Sequence, residues 1–148
     1  MTKKYIAYGS NLSVEQMAHR CPDARIIGMA AIQNWKLVFR THATIEPAEG
    51  RMVPVLIWEI SDQDEKHLDL YEGYPTYYYK QDMTVTMTDL EGKHPQEITA
   101  MVYLMADRHD IRVPYRGYLD TLKEGYRRFG FNPYQLELAM KEAKEAER

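Results

Sequence analysis

Two stretches with a period of two constrain this chain most. Met83, Val85 and Met87 alternate with Thr84, Thr86 and Thr88, and Ile98, Ala100, Val102 and Leu104 alternate with Thr99, Met101, Tyr103 and Met105. A period of two sends successive side chains to opposite faces, so both stretches read as strands. Between them lies the turn-like Asp89-Leu90-Glu91-Gly92, and the pair is expected to form a hairpin.

Other strands are expected at residues 3–8, at 35–40, where Trp35, Leu37 and Phe39 alternate with Lys36, Val38 and Arg40, and at 52–60. The last of these, MVPVLIWEI, is rich in β-branched residues, with Pro54 expected at an edge or bulge. Helices are expected after Ser13, with Gln16 completing a capping box, and after Ser61, ending near Tyr71 where Gly73 can turn left-handed. Pro22 stops the first of them. Tyr115, Tyr118, Leu119, Leu122, Tyr126 and Phe129 fit one face of a third helix. Asn132 and Pro133 open a fourth, which ends in a charged, solvated tail.

Strands and helices do not interleave regularly. The order argues against a doubly wound sheet and for an α+β fold, its long strands suited to a partly closed barrel. At 148 residues, without a linker or repeat, the chain is expected to be a single domain over 1–148. Net charge is −3, which argues against nucleic acid as a partner. The single cysteine, Cys21, excludes an internal disulfide and a cysteine-rich metal site and suits a reducing compartment. No stretch has the length of a membrane span or signal segment, so a soluble cytoplasmic protein is expected. The sequence does not fix an oligomeric state.

Two stretches bear on chemistry. Tyr8-Gly9-Ser10-Asn11-Leu12 joins the first strand to the first helix. Gly9 permits unusual backbone angles, and the helix start supplies free N–H groups. Such a turn can cradle a carboxylate or an oxyanion, or it can simply connect two elements. Glu72, in LDLYEGYPTYYYK, falls at a helix C-terminus among tyrosines 71, 74, 77, 78 and 79. Partial negative charge and lost hydration both raise a carboxyl pKa, which suits a proton shuttle; a plain surface glutamate is the alternative. Cys21 falls at core spacing, the five histidines are scattered without ligand spacing, and Ser10 has no evident base partner.

Together, YGSNL after the first strand and LDLYEGYP followed by a tyrosine downstream resemble the γ-glutamylcyclotransferase family, with its AIG2-like and BtrG-like members. That resemblance implies a small mixed β-barrel of about six strands with flanking helices. It also implies cofactor-free cleavage of a small γ-glutamyl amide. The substrate's own α-amine attacks its γ-carbonyl and releases 5-oxoproline and an amine or amino acid. Glu72 is then the general acid/base. The backbone of Tyr8, Gly9, Ser10, Asn11 and Leu12 holds the γ-glutamyl part, Tyr118 lines the pocket, and Tyr78 matches the motif's downstream tyrosine. Val55 and Trp58 depart from the family's glycine and tyrosine, and Pro114-Tyr115 from its Pro-Ser, which leaves open the branch and the leaving group. A non-catalytic module that grips small ligands in the same fold is the competing reading.

Overall fold

A computed structural model describes residues 1–147. Five strands and four α-helices follow the order β1 (Thr2–Ala7), α1 (Val14–Arg20), β2 (Arg25–Arg40), β3 (His42–Ser61), α2 (Asp62–Glu72), β4 (Tyr78–Met87), β5 (Gln96–Met105), α3 (Arg116–Arg128) and α4 (Tyr134–Ala146). A short 3-10 turn, Ser10–Leu12, sits between β1 and α1. The fold is a mixed α+β arrangement around a sheet with spatial order β2-β3-β1-β5-β4.

The expected hairpin is present as β4 and β5, in register from Tyr78 opposite Met105 to Met87 opposite Gln96. A second hairpin is much longer than its sequence signals. Strand 35–40 begins at Arg25 and strand 52–60 begins at His42, so two short predicted strands are the ends of one long ribbon. The ribbon's register breaks after Gln33, where Asn34 takes φ 64° and its side-chain oxygen accepts the Gly50 N–H at 3.0 Å. Pro54 lies opposite Ala31 on β2, past Leu56, the last β3 residue paired with β1. Its missing N–H therefore falls where β3 has no neighbour from β1.

The barrel of about six strands is not found. Five strands form a sheet that is not a continuous closed ladder. Its two outer strands meet at one point, where Met29 and Thr88 exchange two backbone hydrogen bonds of 2.9 Å. Gly28 allows that approach, since a Cβ there would lie 2.3 Å from the Thr88 carbonyl oxygen.

The helices form where their caps lie. The Ser13 hydroxyl accepts the Gln16 N–H at 3.2 Å. Ser61 and Asp64 form a reciprocal capping box, and Gly73 ends α2 at φ 67°. The expected α3 face is present at Leu122 and Tyr126, whereas Tyr115 precedes the helix and stays 70% exposed. α4 lies against β2 and buries Leu136, Ala139 and Ala143. Among the described residues no helix is long and apolar enough to cross a membrane.

Candidate active site

β1 ends at Ala7, and Tyr8 and Gly9 lead into the 3-10 turn. The first N–H groups of such a turn have no intrahelical acceptor, which leaves Ser10 and Asn11 N–H available. The Leu12 N–H is used by Gly9 O at 3.0 Å and the Ser13 N–H by Ser10 O at 3.0 Å. Trp58 donates its indole N–H to Asn11 O at 3.1 Å, so the residue that departs from the family pattern fixes this turn. The Asn11 side chain donates to Tyr5 Oη at 2.8 Å and accepts from the Arg20 guanidinium.

Gly9 has φ −124° and ψ −128°, outside the left-handed, β and right-handed helical regions. It also provides room. A Cβ on Gly9 would lie 3.2 Å from Tyr118 Oη. Leu12 differs from its expected place as well. It is fully buried against α3, where a Cβ on Gly125 would sit 2.6 Å from its own Cβ, and it does not line the cavity. Leu12 instead fixes the distance between the turn and the helix that carries Tyr118.

A cavity of about 150 Å³ opens between this turn and the C-terminal end of α2. Space of this size accepts a group about as large as benzene. Tyr8, Gly9, Ser10 and Asn11 form one wall, and Tyr71 and Glu72 another. Tyr118 and Tyr78 complete it through the tip of the β2–β3 hairpin. Tyr118 Oη accepts the Ala43 N–H at 3.1 Å, and Tyr78 Oη donates to Ala43 O at 2.6 Å. Tyr8 Oη donates to Tyr103 O at 2.7 Å.

Glu72 is the last residue of α2 and is half-buried. Among the described residues no side chain or backbone group hydrogen-bonds its carboxyl. Burial pushes the pKa up to about 7, and the Arg20 charge pulls the other way. Loss of hydration dominates because the surrounding rings offer the anion little solvation. Of the tyrosines expected around it, Tyr71, Tyr77 and Tyr78 line the cavity; Tyr74 and Tyr79 do not, and each is 41% exposed.

Four lining residues lie outside the site expected from sequence: Tyr5, His42, Ala43 and Tyr103. Tyr103 sits on a strand whose two faces are both apolar, and that doubled pattern was its only signal. His42 had none. It follows Thr41, held at φ 73° at the hairpin tip, and burial keeps its imidazole below the ordinary histidine pKa. Cys21 is buried, with its pKa pushed up to about 12 mainly by burial, consistent with a core thiol. Among the described residues no three metal-ligating side chains cluster.

The family model described as γ-glutamyl cyclotransferase, AIG2-like, matches residues 5–126, which include both walls of this cavity. The chain belongs to that family. It is 31% identical over 119 residues to the γ-glutamylcyclotransferase of Bos taurus, covering 72% of this chain and 61% of that protein. To the γ-glutamylcyclotransferase of Homo sapiens it is 32% identical over 115 residues, covering 70% and 59%. The chain thus spans about three fifths of the length of these curated relatives. A solved structure named γ-glutamyl cyclotransferase superposes with a TM-score of 0.76 at 28% identity, covering 93% of this chain and 86% of that one. The AIG2-like family match runs from Tyr5 to Tyr126, so the long β2–β3 hairpin lies within it and α4 lies outside.

Proposed function

We propose that this chain is a γ-glutamylcyclotransferase acting on a small γ-glutamyl amide. The observation that carries the reading is Glu72: an unpaired carboxyl, pushed up to about 7, in one cavity with the Gly9–Asn11 turn. The substrate's γ-carbonyl oxygen takes the place nearest the free N–H groups of Ser10 and Asn11, where negative charge develops. Its α-amine attacks the γ-carbon, and a C–N bond forms as Glu72 accepts the amine's proton. The amide C–N bond then breaks while Glu72 returns that proton to the leaving nitrogen. No water is consumed and no cofactor enters. The protein supplies no nucleophile; folding the substrate on itself in a tight cavity does the work of bringing the reactants together.

The test is incubation with a panel of γ-glutamyl amino acids and γ-glutamylamines, followed by assay of 5-oxoproline. Release by wild type and its loss in Glu72→Gln are expected. Binding of panel members without 5-oxoproline from any of them would replace the enzyme reading with the ligand-binding one.

A further inference from the structure

We propose that Arg20 is a positioning residue that ties the Ser10–Leu12 turn to the last turn of α2 and sets the charge felt by Glu72. The proposal rests on the function proposed above and concerns a residue outside its motifs.

Arg20 ends α1 and reaches both walls of the cavity. Toward the turn, its guanidinium donates to Asn11 Oδ1, and to Gln16 Oε1 at 2.7 Å. Toward α2, its Cζ lies 3.5 Å from the ring centroid of Tyr71, the residue before Glu72. Tyr71 completes the loop through its own hydroxyl, 3.1 Å from Ser10 Oγ. The Arg20 carbonyl is held in turn by His67 Nδ1 at 2.9 Å. A planar fork that donates at its edge and stacks on its face can make both contacts at once. A lysine has no face to stack and one point of charge.

Arg20 is also the charge that acts on Glu72. Tyr5 faces the carboxyl from β1, Tyr8 from the residues just after it, Tyr78 from β4 and Tyr103 from β5. Tyr77 and Tyr118 face it from the loop before β4 and from α3. Burial raises the pKa of every one of these phenols, so all are neutral near pH 7. His42 faces it from β3 and is neutral there because burial lowers its pKa. The guanidinium keeps its charge throughout this range. It favours the ionised carboxyl, against the effect of burial.

The experiment follows the Glu72 side-chain carboxyl by ¹³C NMR titration in wild type, Arg20→Met and Arg20→Lys, with kcat and KM for 5-oxoproline release across pH. In Arg20→Met the Glu72 midpoint rises by roughly half a pH unit or more, and the acid limb of kcat/KM moves up with it. In Arg20→Lys the midpoint stays near that of wild type while KM rises several-fold, because charge is kept and the fork and stack are lost. An unmoved midpoint in Arg20→Met together with an unchanged KM in Arg20→Lys overturns the proposal. If the Met variant does not fold, the Lys variant decides: unchanged KM and kcat overturn it. A wild type that releases no 5-oxoproline rejects the function, and the carboxyl titration then judges Arg20 alone.

Discussion

The phenol oxygen of Tyr118 lies 3.2 Å from where a Cβ on Gly9 would stand, and it accepts the Ala43 N–H at 3.1 Å. One hydroxyl thus links α3, the β2–β3 hairpin tip and the turn after β1. Three segments far apart in sequence meet there, and each needs the others in place.

Gly9→Ala forces Tyr118 to yield by a few tenths of an ångström, which disturbs Ala43 and the cavity wall. We expect kcat/KM to fall ~10-fold or more, since small misplacements near reacting groups are costly. Tyr118→Phe removes the acceptor of a part-buried N–H and is expected to cost ~1–3 kcal/mol of stability. The same change frees space for the new methyl group. The double variant should therefore lose less activity than the two single losses combined. Strictly additive losses in that cycle would show that the two positions do not compete for space.

Glu72 makes stability pH-dependent. Its carboxyl pKa is raised to about 7 in the folded state. An unfolded glutamate titrates near 4.3, so between these values the folded chain binds more protons than the unfolded one. Stability is therefore highest below the unfolded value and falls as pH rises through the folded one. The loss is on the order of 2–3 kcal/mol, after a discount for solvent screening at this half-buried carboxyl. Urea melts at pH 5 and pH 8 should show this decline in wild type and a smaller one in Glu72→Gln.

Catalysis follows the opposite direction, because the base form of Glu72 starts the reaction. The acid limb of kcat/KM is expected to have its midpoint near 7. In Glu72→Gln, turnover should fall by ~100-fold or more with substrate binding kept. An equal loss of affinity, measured by calorimetry, would make Glu72 a binding residue instead.

Gly28→Ala tests the contact between the outer strands. The new methyl group would meet the Thr88 carbonyl oxygen and the Met87 side chain at well under contact distance. Overpacking of this kind typically costs ~1–3 kcal/mol, which equilibrium denaturation would measure. No loss would mean that the two edges separate freely.

Cys21 should resist thiol reagents in the folded protein. Its sulfur is buried, contacts Asp64 O at 3.6 Å, and has a pKa pushed up to about 12. The reactive thiolate is then scarce and shielded, so labelling should track global unfolding in denaturant. Rapid labelling under native conditions would contradict that placement.

Much of this architecture was legible in the sequence where the signal is local. Ser13, Ser61 and Gly73 bound their helices because capping needs only the residues within one turn. The β4–β5 hairpin was readable because alternation and a turn are both short-range. Residues 25–34 and 42–51 carried no comparable pattern. They are extended because they pair with each other across a ribbon, a contact no single window contains. The number of strands and the openness of the sheet were lost for the same reason.

For the candidate site, the two motif stretches, their family resemblance and the glutamate on which the proposed chemistry turns are all readable from the residues alone. Folding adds what no short stretch holds: Gly9 leaves room for Tyr118, Leu12 packs in the core, and Arg20 and His42 join the surroundings of Glu72. The physical reason is distance along the chain. A motif records which residues are present, while hydration, charge and clearance depend on what folding brings beside them.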